Sequence, residues 1–174
     1  MLEIRMIVSL LSVAAAALLV LIDQLIKYWA TAVLQPQGFI TLLPGIVELR
    51  YYLNDGMAFS MLAGKQTLLI AMTSLMLLCI LVLLFLRKMG TWERISWALI
   101  LGGGIGNLID RALNGVVVDY INLLFMNFAV FNFADICITT GVILLMAWIL
   151  YDSYQKEKAE KALRQQNGEA DGTA

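Results

Sequence analysis

The feature that most constrains this chain is a set of apolar runs longer than a soluble domain of 174 residues has room to bury. Crossing about 30 Å of hydrocarbon as a helix takes roughly 20 mostly apolar residues. Four segments meet that requirement, at about 6–27, 67–86, 95–113 and 129–151. Hydrophobic residues make up 61% of the chain, against about 45–50% in a typical soluble domain, so lipid has to solvate much of that excess. The expected fold is a single all-α membrane domain over residues 1–174, with four transmembrane helices and a small extracytoplasmic β-element between the first and second. The third segment is the least apolar. It carries Gly102, Gly103, Gly104 and Gly106 and ends in Asn107, Asp110 and Arg111.

The first run follows Arg5, as a secretory signal would, but its small residues Ala14–Ala17 fall mid-run, away from any cleavage position. It reads as a retained helix. Basic residues then orient the spans. Arg5, Arg87, Lys88, Arg94, Lys156, Lys158, Lys161 and Arg164 fall on one side of a four-span topology, and Lys27, Arg50, Lys65 and Arg111 on the other. Both termini are therefore expected in the cytoplasm, with segments 28–66 and 114–128 facing outward and a charged tail, 152–174, forming a short solvated helix that frays. In the outer segment, Val47, Leu49 and Tyr51 alternate with Glu48, Arg50 and Tyr52 after a Pro44-Gly45 turn signal. That period of two predicts a strand.

Several chemistries are excluded. The chain has no His, which removes Ser-His-Asp and Cys-His catalysis and weakens any zinc site. A net charge of −1 argues against a nucleic-acid partner. Cys79 and Cys137 lie inside apolar runs and read as small buried hydrophobes.

Ionisable groups at membrane depth are costly and mark function. Here they gather at one rim: Asp23, Asp110, Arg111, Asp119 and Asp135, with the amides Asn54, Asn107, Asn122 and Asn132 at the same level. Asp135 opens the fourth span, three residues after Asn132. Asp119 lies on a loop or re-entrant stretch that a short linker folds back over it. Two adjacent carboxylates resist double ionisation and share a proton. One then takes a proton from water while the other hydrogen-bonds a scissile carbonyl.

Simpler readings apply elsewhere. Asp110 beside Arg111 reads as a local ion pair or cap, leaving Arg111 to support the dyad or a substrate carbonyl. Asp23 and Lys27, four apart, suit a rim salt bridge. Asn54-Asp55-Gly56 is a turn signal, and Gly102 with Gly106 gives a close helix-packing spacing. Asp119 or Asp135 taken alone suits a helix cap. Ser60 with Lys65 would make a Ser-Lys pair, but Lys65 just ahead of a span reads better as an interface anchor.

Five pieces stand in order: Asp23-Gln24-x-x-Lys27, Asn54-x-Gly56-x-Ala58-Phe59, Gly102-Gly103-x-x-Gly106-Asn107-x-x-Asp110-Arg111, Gly115-x-Val117-Val118-Asp119-Tyr120 and Phe131-Asn132-x-Ala134-Asp135. Over nearly its whole length the chain resembles the lipoprotein signal peptidase (signal peptidase II) family of aspartyl membrane endopeptidases. The resemblance implies cleavage of prolipoproteins just before a diacylglyceryl cysteine, at the outer face of the bacterial inner membrane, without cofactor or metal, and inhibition by globomycin-type cyclic peptides. It implies Asp119 and Asp135 as the catalytic dyad, and a lining or supporting role for Asn54, Gly56, Asn107, Arg111, Asn132, Ala134 and Asp23. Met57 and Tyr120 depart from the family pattern, where a smaller residue and Phe are common. The rival from another class is a small ion-coupled transporter with the carboxylates as a proton relay. It would call for midplane carboxylates and an internal repeat, and the sequence offers neither.

Overall fold

The computed structural model describes residues 2–56 and 64–171. Helix α1 spans Leu2–Trp29, continues through a π-helical turn at Ala30–Leu34, and ends in one further turn, α2, at Gln35–Gln37. A hairpin follows, β1 (Phe39–Leu43) and β2 (Val47–Asn54). Then come α3 (Gln66–Leu86), α4 (Thr91–Asn114), β3 (Val117–Leu123) and α5 (Phe133–Asp171). Among the described residues, three helices are long and apolar enough to cross a membrane, within Glu3–Gln37, Gln66–Leu86 and Phe133–Arg164. Their large side chains, among them Leu10, Leu18, Leu75, Leu78, Ile143 and Leu150, point away from the protein. A helix satisfies its own backbone in lipid, and an apolar exterior suits that solvent.

Helix α4 is the odd one because it occupies the middle. It packs against α1, α3 and α5, and its buried residues include Glu93, Ser96, Asn107 and Asp110. Enclosed by protein over most of its surface, it has less need of an apolar exterior. Its glycines admit the neighbours. A Cβ on Gly103 would overlap the Ala134 carbonyl oxygen, and one on Gly106 would sit 2.5 Å from Asp23 Oδ2. Below them, Ala16, Leu77, Ile80, Leu84, Ile100 and Leu101 form the core between α1, α3 and α4.

The small sheet is larger than the sequence implied. It is antiparallel in the order β1-β2-β3, and its third strand comes from the connection between α4 and α5. Asp119 therefore sits on a strand, paired with Tyr52, and not on a loop or re-entrant stretch. Val117, Val118 and Tyr120 are buried beside it. Tyr120 and Val118 pack on Ala30 and Leu34, the π-helical turn that tops α1. The strand predicted at 47–52 is present, although Glu48 faces inward, satisfied by Asn122 Nδ2 at 2.9 Å and Arg50 Nε at 2.8 Å.

Three further expectations change. The last helix starts at Phe133 rather than 129, and it continues to Asp171 instead of giving way to a separate tail helix. Cys79 is exposed on α3, where an apolar side chain is at home in lipid; Cys137 is buried as expected. Met57, Ala58, Phe59 and Ser60 lie outside the described residues.

Candidate active site

The start of α5 organises the site. The first N–H groups of any helix lack intrahelical partners, and here three consecutive ones are met by side chains from β3, from α1 and from the residue that precedes the helix. Phe133 N–H donates to the Tyr120 hydroxyl at 3.1 Å, so that hydroxyl serves the helix end. Ala134 N–H donates to Asp23 Oδ1 at 3.1 Å, and Asp135 N–H to Asn132 Oδ1 at 3.0 Å. Ile136 N–H reaches the Asn132 carbonyl at 3.3 Å. Asn132 caps the helix, and Asp135 returns the bond, its Oδ2 accepting from Asn132 N–H at 3.1 Å. This is a capping box built from Asn and Asp. It fixes the rotamer of Asp135.

Asp119 is 1% exposed on β3. Its Oδ2 accepts from Asn54 Nδ2 at 2.9 Å and its Oδ1 from Asn132 Nδ2 at 2.6 Å. The Asn54 amide is oriented by its own turn, since Asn54 Oδ1 accepts from Gly56 N–H at 2.9 Å. Asn54 therefore forms the turn through its Oδ1 and contacts Asp119 through its Nδ2. Burial pushes the Asp119 carboxyl up to about 7, with the nearby Asp135 charge adding to the rise and the amide donors of Asn54 and Asn132 opposing it.

The third amide closes the network. Asn107 Nδ2 donates to Asp135 Oδ1 at 2.8 Å, while its Oδ1 accepts from Asn132 Nδ2 at 3.1 Å and from Lys27 Nζ at 2.8 Å. Lys27 is 3% exposed and spends its other two donors on Asp23, at 2.9 Å, and Asp110, at 3.0 Å. Each of these carboxylates also holds the backbone beside one candidate catalytic residue. Asp23 accepts from Ala134 N–H, next to Asp135, and Asp110 Oδ2 accepts from Val118 N–H at 3.1 Å, next to Asp119. Gln24 Nε2 bridges Asp23, Asp110 and the Gly106 carbonyl. The Asp23–Lys27 pair is thus a buried structural unit, and Asp110 pairs with Lys27 and not with the adjacent Arg111.

Asn54, Asn107, Asp119, Asp135 and Arg111 line one cavity of about 420 Å³ whose remaining wall is largely apolar, including Val117, Phe128, Val130 and Ile136. Arg111 Nη2 donates to the Gly56 carbonyl at 2.8 Å, and its buried Nε has no hydrogen-bond partner among the described residues. Two carboxylates and an arginine in one apolar-walled cavity can polarise a peptide carbonyl and move protons around it.

The profile of the family described as signal peptidase (SPase) II matches residues 15–151. The chain belongs to the signal peptidase II family. The matched stretch includes every residue that lines the cavity. The lipoprotein signal peptidase of Streptococcus pyogenes serotype M2 (strain MGAS10270) is 41% identical over 137 residues, 78% of this chain and 90% of that protein. That of Lactococcus lactis subsp. lactis (strain IL1403) is 35% identical over 148 residues, 85% of this chain and 99% of the relative. A bacterial membrane enzyme solved at 2.3 Å resolution superposes with a TM-score of 0.77 at 30% identity, covering 83% of this chain and 90% of its own.

The structure brings Asp23, Asn54, Gly56, Asn107, Arg111, Asn132 and Ala134 into the network around Asp119 and Asp135. Sequence reasoning left Lys27, Gln24 and Asp110 outside the site. For Asp110 a signal was present: side chains adjacent in a helix point apart, so Arg111 was a poor partner from the start.

Proposed function

We propose that this signal peptidase cleaves the signal peptide from diacylglyceryl-modified prolipoproteins immediately before the lipidated cysteine, with Asp119 and Asp135 as an acid–base pair acting on water. The observation that carries the reading is the convergence of both carboxylates on one cavity through a shared residue, Asn132. Burial favours the proton on Asp119 near neutral pH. Asp119 then donates a hydrogen bond to the scissile carbonyl, and Asp135 accepts a proton from the attacking water. Collapse of the tetrahedral intermediate passes that proton to the leaving amine, freeing the lipidated cysteine and leaving a carboxylate on the signal peptide. Arg111, whose Nε has no partner among the described residues, holds a substrate backbone carbonyl.

In this reading α4 is a fourth span. Its 24 residues rise about 36 Å, and α1, α3 and α5 shield its polar side chains from lipid. The excess of basic residues at the end holding both termini supports a cytoplasmic location for them. The cavity then opens at the outer face, where a lipidated substrate keeps its acyl chains in the bilayer and water is at hand. Globomycin-type cyclic peptides compete for the same cavity, and no cofactor takes part. The transporter alternative draws no support from the family, and the carboxylates Asp23, Asp110, Asp119 and Asp135 share one end of the bundle.

The test is incubation of the purified chain with a synthetic prolipoprotein peptide, with and without the diacylglyceryl group. Cleavage before the lipidated cysteine alone is the expected result. Equal cleavage of the unmodified peptide, or none of either by folded protein, overturns the substrate assignment.

A further inference from the structure

At the end of the bundle opposite the aspartates, α1 and α4 leave a groove of about 660 Å³ between them. Its walls include Val8, Leu11, Leu18, Ile95 and Leu99, and Arg5, Thr91 and Arg94 also line it. On α1 the lining runs from Ile4 to Leu19, about 22 Å at 1.5 Å per residue. That covers one leaflet of a bilayer whose hydrocarbon core is about 30 Å thick.

The cations in this groove are under-compensated. Arg94 is only 8% exposed, and arginine does not shed its charge. Buried charges are ordinarily paired, yet among the described residues Arg94 meets no carboxylate. Its Nη1 donates to Ser9 Oγ at 3.2 Å and to the Leu84 carbonyl at 3.3 Å, and Nε and Nη2 have no acceptor there. Neighbouring Glu93 is taken by Arg87 at 3.2 Å. Arg5 is similar, donating to the Phe85 and Leu86 carbonyls at 3.4 and 2.9 Å. All these carbonyls belong to the last turn of α3, whose dipole draws cations. That explains why two arginines gather here, but a helix end offers only about half a negative charge against two full positive ones.

We propose that the groove binds an anionic phospholipid, its phosphate on Arg94 and Arg5 with Thr91 at the mouth, and one acyl chain lying between α1 and α4. A free inorganic phosphate would answer the charge but leave the apolar length of the groove empty. Basic pockets between membrane helices recognise lipid headgroups in this way.

The experiment is native mass spectrometry of the full chain in neutral detergent, with phosphatidylglycerol and phosphatidylcholine of identical acyl chains in competition. Wild type is expected to retain phosphatidylglycerol preferentially, by about fivefold for each arginine engaged. Arg5→Gln should reduce that preference and Arg94→Gln should erase most of it. Because Arg94→Gln also removes a contact to α3, Ala15→Phe supplies a second arm. It fills the groove, leaves both arginines and the α3 end untouched, and should lower retention of phosphatidylglycerol severalfold. Equal retention of the two lipids by wild type, an unchanged preference in Arg5→Gln, or unchanged retention of phosphatidylglycerol in Ala15→Phe overturns the proposal. So does thermal stabilisation by inorganic phosphate as large as that by phosphatidylglycerol.

Discussion

Asn132 and Asp135 exchange hydrogen bonds across the first turn of α5, the backbone N–H of each donating to the side chain of the other at 3.1 and 3.0 Å. The same Asn132 amide donates to Asp119 at 2.6 Å. The residue that starts the helix thereby also couples the two carboxylates. Cap, helix dipole and candidate chemistry occupy one turn of backbone, and a change made for one is felt by the others.

Asn132→Ala should therefore have two effects of different size. Loss of the cap costs about 1 kcal/mol of stability, a shift of a few degrees in the unfolding temperature measured in detergent. Loss of the link to Asp119 should lower turnover by at least tenfold. A variant whose turnover falls only in proportion to its folded fraction would contradict the coupling.

Lys27 holds Asp23 and Asp110 at 2.9 and 3.0 Å in the protein interior. Removing one member of a buried ionic cluster leaves uncompensated charge and typically costs about 3–5 kcal/mol. Lys27→Met should fold poorly. The triple change Lys27→Met, Asp23→Asn, Asp110→Asn should recover much of that stability, because no charge is stranded. Thermal unfolding of both proteins decides it, and a triple variant no more stable than the single one would refute the cluster account.

Gly106 approaches Asp23 so closely that an added Cβ would lie 2.5 Å from Oδ2. Gly106→Ala should thus cost about 1–3 kcal/mol, the usual range for overpacking. It should also slow turnover by shifting the carboxylate that holds Ala134 N–H. Gly45, on the β1–β2 turn with no atom near its Cβ direction, is the control: Gly45→Asn should leave turnover within about twofold.

The pH dependence follows from Asp119. Its carboxyl is raised from 3.8 to about 7 in the folded protein, so the folded state binds a proton more tightly than the unfolded chain between those values. Stability from this group is then full below about pH 4 and declines as pH rises to about 7. Against Asp119→Asn, wild type should lose stability across that window, and turnover should fall on both acid and alkaline sides as the shared proton is gained or lost. An identical pH slope for the two proteins would contradict the assignment.

The parts legible in the sequence were those written in local pattern. The apolar runs located α1, α3 and α5, and the alternation at 47–52 located β2. The crowding of carboxylates and amides marked Asp119 and Asp135 for attention because such groups are expensive at membrane depth. What stayed hidden was non-local. Val116-Val117-Val118 is β-branched and favours a strand, but its partner β2 is about 65 residues earlier, Asn54 to Asp119 being 65 apart. Likewise the partner of Asp110 is Lys27, on another helix. Helix α4 gave a weak hydropathy signal because neighbouring helices cover most of it.

The most direct test of the central claim is turnover of a diacylglyceryl-cysteine prolipoprotein by Asp119→Asn and Asp135→Asn, each verified as folded by its unfolding transition. Asn keeps the shape of the side chain and one of its two acceptor oxygens, but it cannot take the proton from water or hold the shared one. The account predicts that each variant loses cleavage by at least a thousandfold while remaining folded and inserted. Wild-type-like turnover in either would contradict the dyad and leave the two carboxylates as helix and strand caps.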